Sequence, residues 1–329
     1  MTEKNESRPV SAATGWRALR RYVALEHGIA RWAERRPLTT FLHEFIRFGI
    51  KQAWACLFGG TMLALLLATH RWYPAGAWLT RYDFLTLAAV SIQAGMLLSG
   101  LETREEAKVV LLFHAAGTAM ELFKTAAGSW VYPEAGVLRL GGVPLFTGFL
   151  YAAVGSYVAR AWRVFDFRFT RHPPLAAVLA LSGAIYINFF AHHFVPDMRI
   201  VLFALSVLLF GRSWIHYRVW REHRRMPLLL GLVLVTLFIW FAENIGTFAQ
   251  GWVYPHQVGK AWSPVSAMKI GAWYLLMIVS YGLVALVNRP VPVEPLEIVS
   301  DAARSGSPGD GSRRQSGEGT RFFEGDEHR

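Results

Sequence analysis

Glu121-Leu122-Phe123-Lys124-Thr125-Ala126-Ala127-Gly128-Ser129-Trp130-Val131-Tyr132-Pro133 returns 122 residues later as Glu243-Asn244-Ile245-Gly246-Thr247-Phe248-Ala249-Gln250-Gly251-Trp252-Val253-Tyr254-Pro255. Seven of the thirteen positions are identical: Glu, Thr, Ala, Trp, Val, Tyr and Pro. In both copies a carboxylate sits inside an apolar segment, nine residues before a Trp-Val-Tyr-Pro exit. The environment of these two acids decides both fold and function.

Composition points to a bilayer. The chain has 329 residues, 53% hydrophobic and only 17% charged, with a mean hydropathy of +0.28. Soluble domains carry about 25% charged residues. The net charge of +11 is dispersed between apolar runs and forms no single basic patch, which argues against nucleic acid. Lys and Arg collected in cytoplasmic loops explain it. The single cysteine, Cys56, excludes a disulfide framework and a cysteine metal cluster.

Hydropathy predicts an all-α integral membrane protein with eight transmembrane helices near 50–69, 83–100, 108–127, 143–161, 174–194, 198–215, 227–249 and 266–287. Most have the ~20 apolar residues that cross ~30 Å of hydrocarbon as a helix. Lipid offers no partner for an unpaired backbone group, so helices are forced. With the N-terminus inside, inner segments hold 27 Lys and Arg and outer loops 5. That bias places both termini in the cytoplasm and both Trp-Val-Tyr-Pro segments outside.

Helices one to four match helices five to eight in order, and Ser156-Tyr157 and Ser280-Tyr281 take equivalent places. Each unit has an even number of spans, so the halves are expected to be parallel four-helix repeats about an axis along the membrane normal. The implied organisation is a cytoplasmic basic leader (1–47), membrane repeat 1 (48–162), a cytoplasmic linker (163–173), membrane repeat 2 (174–288) and a disordered cytoplasmic tail (289–329). In the leader, Trp16, Leu19, Val23, Ile29 and Trp32 alternate with arginines, as in amphipathic helices at the headgroup level, broken near Pro37.

A charge near mid-membrane is costly and marks function or a buried pair. Glu121 and Glu243 are therefore the first candidates for acid chemistry. Lys124, on the same helical face as Glu121, is positioned to pair with it. Gly246 replaces it in the second copy, where Lys269 is the candidate cation. His114 lies two turns before Glu121 on one face and makes either a proton relay or a satisfied core histidine. Asn188 and His192, with His70 and His193 nearby, are expected at an outer cavity, and Asn244 and Gln93 as helix bridges. Trp130, Tyr132, Trp252 and Tyr254 read either as an interfacial belt or, given their fixed register with the acids, as walls of a binding site. No zinc-ligand spacing of the His-x3-His type occurs, and no nucleotide fingerprint or nucleophile elbow is present. Neither a metal nor another cofactor is expected.

The span 50–290 resembles the uncharacterised bacterial multi-pass membrane family typified by YoaT. The resemblance is carried by Glu121-Leu122-Phe123-Lys124, Gly128-Ser129-Trp130-Val131-Tyr132-Pro133-Glu134, Gly142-Val143-Pro144-Leu145-Phe146 and Tyr151-Ala152-Ala153-Val154-Gly155-Ser156-Tyr157. It implies the fold and a bacterial inner-membrane location. A fainter similarity reaches the membrane carotenoid hydratases and small lycopene cyclases, which pair an intramembrane Glu with a Gly-aromatic-x-Tyr exit. That similarity implies acid chemistry on a polyene. The functional expectation is an outward-facing Glu pair that binds or acts on a lipid-soluble, isoprenoid-like molecule. The alternatives are a proton-coupled permease or a structural membrane protein.

Overall fold

The computed structural model describes residues 36–293; the expected leader helices before Pro37, and the tail beyond Val293, lie outside them. Among the described residues the protein is mostly helical, with nine α-helices. These are α1 (Pro37–Ala55), α2 (Leu57–Trp72), α3 (Arg81–Leu98), α4 (Arg104–Ala126), α5 (Phe146–Val164), α6 (Leu175–Ala191), α7 (Arg199–Phe210), α8 (Leu228–Phe248) and α9 (Lys269–Val287). The helices α4, α8 and α9 are each long and apolar enough to cross a membrane, and α1 with α2 qualifies as one bent pair. Large apolar side chains such as Leu111, Ile187, Leu208 and Phe238 face outward, the reverse of a water-facing surface.

Sequence chemistry sets the helix ends. Pro37 opens α1 at a position where its missing N–H costs nothing. A capping box opens α4: the Thr103 hydroxyl accepts from the Glu106 amide at 3.2 Å, and the Glu106 carboxylate accepts from the Thr103 amide at 2.8 Å. Glycines let α4 and α5 approach closely. A Cβ on Gly117 would meet the Tyr151 ring at 2.6 Å, and one on Gly155 would meet Phe113 at 2.6 Å. Small residues at matched places on two helices are how apolar helices approach closely without a hydrophobic drive.

Three features depart from the hydropathy reading. First, the segment 50–69 is not one straight helix: it bends by 70° at Cys56. Helix α1 packs one face on a hairpin through Lys51, whose ammonium donates to the Val164 and Arg218 carbonyls at 2.9 and 2.7 Å. Its other face leaves Leu38, Phe41, Leu42, Phe45, Ile46 and Ile50 exposed at helical spacing. Second, the segment 198–215 is helical only to Phe210; α7 reaches roughly 18 Å, about half the hydrocarbon thickness. Third, Trp214 and Ile215 belong to a strand. An antiparallel sheet forms from β3 (Arg168–Thr170), β4 (Trp214–Arg218) and β5 (His223–Pro227), in the order β3-β4-β5. Val291 extends its edge, accepting from the Phe169 amide at 2.9 Å. A smaller hairpin pairs β1 (Arg139–Leu140) with β2 (Val143–Pro144) ahead of α5.

Candidate functional site

Helices α4 and α8 end in the same way. The backbone turns through a left-handed residue, Gly128 (φ 70°) in the first copy and Gln250 (φ 53°) in the second. The following amide reaches back to the last turn: Ser129 to the Lys124 carbonyl, and Gly251 to the Gly246 carbonyl, both at 2.9 Å. This is the Schellman closure, and it reverses the chain. The Trp-Val-Tyr-Pro segments therefore fold back over their own helices.

The fold-back brings the aromatics onto the acids. The Glu121 carboxylate accepts from the Trp130 indole N–H at 2.8 Å, from the Tyr132 hydroxyl, and from the Tyr151 hydroxyl at 2.7 Å. Glu243 accepts from the Tyr254 hydroxyl and from the Trp273 indole N–H at 2.6 Å. Tyr132 and Tyr254 each lie eleven residues beyond their acid, and Tyr151 and Trp273 each lie thirty beyond it, on the next helix. Glu121 and Glu243 are 4% and 3% exposed, so these donors stand in for water; a buried carboxylate is tolerated when its lone pairs are filled this way. Burial and the neighbouring carboxylate push the Tyr132 and Tyr254 phenols far up, which keeps both as hydrogen donors. The two clusters also touch, since Trp130 and Tyr254 meet edge to face at 6.4 Å.

Neither acid has the expected lysine partner. Lys124 turns away from Glu121: its ammonium lies 2.9 Å from His193 Nε2, 3.5 Å from His192 Nε2 and 4.3 Å from the Phe189 ring centre. Lys269 stands over the Tyr254 ring at 4.4 Å and forms no ion pair among the described residues. The Lys124-to-Gly246 exchange between copies has a steric cause. Trp252 lies against Gly246, where a Cβ would meet its ring at 2.6 Å. The second-copy tryptophan thus occupies space that a side chain would need, and no indole bond from it to Glu243 forms.

Other predicted residues are placed as follows. His114 makes no hydrogen bond to Glu121; it packs on Phe149 with ring centres 4.6 Å apart, and its buried Nδ1 has no hydrogen-bond partner. Asn244 donates to the Trp240 carbonyl and accepts from the Val265 amide, both within 2.9 Å, so it pins the connection to α9. Asn188 accepts from the Met198 amide at 3.0 Å and donates to Asp197 at 3.2 Å, fixing the turn into α7. Gln93 donates to Glu102, in the connection between α3 and α4, and so bonds a turn rather than a second helix.

Two cavities adjoin the clusters. A narrow apolar slot of about 40 Å³ is walled by Ala116, Gly117, Tyr151, Trp273, Leu276 and Ser280 among others. A larger chamber of about 340 Å³ gathers Lys124, Ser129, Trp130, Asn188, His192, His193, Arg199 and Lys269. Leu276 belongs to both walls. Sequence reading missed Tyr151, Trp273 and Arg199. Only the shared thirty-residue spacing to each acid could have flagged the first two.

Outside the helices, partial desolvation together with the nearby Lys124 and His192 holds the His193 imidazole below its ordinary value, so it is neutral at pH 7 and accepts from Lys124. Burial pushes the Asp197 carboxyl up, but bonds from Asn188 and Arg199 outweigh this and hold it below the usual range. It remains the counter-ion of Arg199, at 2.5 Å.

The chain is similar to the uncharacterized protein YoaT of Bacillus subtilis (strain 168), at 43% identity over 264 residues, covering 80% of this chain and 99% of the relative. Among solved structures, a cross-linked MvINS trimer aligns with a TM-score of 0.42 and 16% identity, over 57% of this chain and 97% of that one; nothing is carried over from so low a similarity. The model of a family described as a protein of unknown function, DUF817, matches residues 44–281. On that match and on the YoaT identity, the chain belongs to the DUF817 family.

Proposed function

We propose that the protein is a multi-pass cell-membrane protein of two parallel four-helix repeats that binds a lipid-soluble, isoprenoid-like molecule between them. The repeat reading rests on paired contacts. Glu121 and Glu243 take donors at the same two spacings. The closing helices also agree: Tyr157 donates to Gln52 at 2.9 Å, ahead of α2, and Tyr281 meets His172 at 2.7 Å, ahead of α6. In this arrangement α1 lies in the cytoplasmic interface with its apolar face in lipid, α2 is the first span, and α7 is a short span finished by the β4–β5 hairpin. Both termini are cytoplasmic.

The observation that carries the binding function is the slot. Its wall includes Tyr151 from one half and Trp273 from the other, and each is held by the buried glutamate of its own half. Ligand sites are mostly apolar clefts with a few fixed polar groups; at about 40 Å³ this slot takes only the tip of an isoprenoid-like chain, between two aromatics positioned by carboxylates that it does not expose. The glutamates act as positioning residues for the aromatic wall. Their oxygens already accept from five donors, which favours holding over proton donation to a substrate.

The test is binding of geranylgeraniol to the full chain in nanodiscs, read by quenching of tryptophan fluorescence. Wild type is expected to bind, and Ala116→Phe, which fills the slot, to lose at least tenfold in affinity. Equal affinity in the two proteins overturns the reading.

A further inference from the structure

The chamber beside the slot is built differently from it. Lys124 is 4% exposed, yet among the described residues no carboxylate lies within ion-pair distance of it. Its polar neighbours are two imidazole nitrogens, of which neutral His193 serves as an acceptor. An ammonium has three donors; even if both imidazoles accept, one remains unused. Lys269, half-buried at the start of α9, lies over the face of Tyr254 and forms no ion pair among the described residues. Arg199 at the rim is neutralised by Asp197. The walls therefore carry two lysines with no carboxylate at ion-pair distance; Glu243 acts on Lys269, and Asp197 on Lys124, only from further off. Ser129 and Ser266 add hydroxyls, and no acidic side chain lines the space.

Buried cations left without counter-ions are costly unless something supplies the anion. Two charges call for a dianion, and a phosphomonoester carries about −1.5 to −2 at neutral pH. The volume of about 340 Å³ falls at the lower end of ligand sites, ~300–1,000 Å³. The floor is apolar, formed by Ile185, Ala272, Leu275 and Leu276, and Leu276 leads into the slot. A free phosphate would leave that floor uncovered, whereas a phosphate on an apolar chain would match both ends.

We propose that the chamber binds a phosphomonoester, the dianionic head of the apolar molecule whose chain enters the slot, with Lys124 and Lys269 as its principal contacts. The assignment of the chain rests on the reading of the slot above; the assignment of the head rests on the lysines alone.

The experiment titrates the full chain in phosphatidylcholine nanodiscs with three probes: dodecyl phosphate, dodecanol and inorganic phosphate. The proteins are wild type, Lys124→Gln, Lys269→Gln, Lys124→Arg and Ala116→Phe. Dodecyl phosphate is expected to bind wild type, to weaken about tenfold or more in either Lys→Gln variant, as loss of a charge-assisted bond implies, and to recover in Lys124→Arg. Dodecanol binding is expected to fall in Ala116→Phe and to ignore the lysine changes. Wild-type affinity for dodecyl phosphate in both Lys→Gln variants overturns the head site and leaves the slot standing. Loss in the lysine variants with no effect of Ala116→Phe on either chain-bearing probe supports the head site and overturns the slot. Inorganic phosphate binding as tightly as dodecyl phosphate assigns the site to the free anion. Should Lys124→Gln fail to purify as a single species, Lys269→Gln, at a half-exposed helix start, carries the test by itself.

Discussion

Val131 and Val253 each donate a backbone hydrogen bond to the other's carbonyl, at 2.9 and 3.0 Å, in an isolated antiparallel bridge. They hold the same place in the two copies of the repeated stretch, 122 residues apart. The bridge locks the two fold-backs together, and with them the aromatics that fill the lone pairs of Glu121 and Glu243.

Because Glu121 accepts from three side chains and Glu243 from two, their removal should be unequal. Glu121→Ala leaves three buried donors without a partner, each costing ~1–3 kcal/mol. Thermal unfolding in detergent, followed by tryptophan fluorescence, is expected to fall further for Glu121→Ala than for Glu243→Ala. The reverse order would contradict the account of the acids as anchors.

Glycine substitutions separate close approach from helix propensity. Gly117→Ala drives a methyl into the root of the Tyr151 ring, and overpacking of this kind costs ~1–3 kcal/mol. Gly183→Ala, with nothing within 4 Å, is expected to be neutral or stabilising by up to ~1 kcal/mol. The two melting temperatures, measured together, check the difference.

A buried ion pair holds the other end of α5. Arg160 and Glu102 side chains are both fully buried, with the guanidinium nitrogen 3.4 Å from the carboxylate; Ser156 donates to the same oxygen at 3.0 Å. Arg160→Met alone is expected to destabilise by ~3–5 kcal/mol, because it strands the acid. Adding Glu102→Gln to it should recover part of that loss, which a double-mutant cycle on thermal unfolding measures.

His193 gives a pH signature. Its folded-state pKa is depressed by partial desolvation, Lys124 and His192, while the unfolded value is near ~6.5. Its stabilising contribution is therefore present above pH ~6.5 and is lost as pH falls through the depressed value. The groups facing it are Lys124, His192, Phe123 and Phe194. Wild type is expected to lose more melting temperature between pH 7.5 and 5.0 than His193→Gln does. Parallel losses would mean that Lys124 and His193 are not coupled.

Topology can be read by labelling. In a Cys56→Ser background, Val137→Cys, in the loop ahead of β1, should react with a membrane-impermeant maleimide on intact cells. Arg225→Cys, on β5, should react only after permeabilisation. The opposite pattern inverts the proposed orientation.

Much of this was legible in the chain. Each apolar run expected as a span contains a helix, and the repeated stretch identifies the two acids by itself. What failed to show has one physical cause: hydropathy and spacing report neighbours along a helix, not across space. Lys124 lies three residues from Glu121, yet its side chain reaches His192 and His193 on another element. Tyr151 and Trp273 reach the acids from the following helices. Trp214 and Ile215 are apolar enough to prolong α7, but after Gly211 they pair in a strand with Met226 and Pro227. The 70° bend at Cys56 has no Pro or Gly at the break; α1 is pulled aside by Lys51 and by Glu44, which takes Arg224 at 2.8 Å.

The Val131–Val253 bridge has a consequence for how such a chain arises. A contact in which a residue meets its own equivalent is the contact of a homodimer, here contained in one polypeptide. Two identical subunits meeting this way would both carry a lysine at that place or both lack it, and both would set the tryptophan in the same pose. Joining them in one chain lets each half keep a different answer. The first keeps Lys124 for the cavity, and the second gives that position to Gly246, against which Trp252 packs.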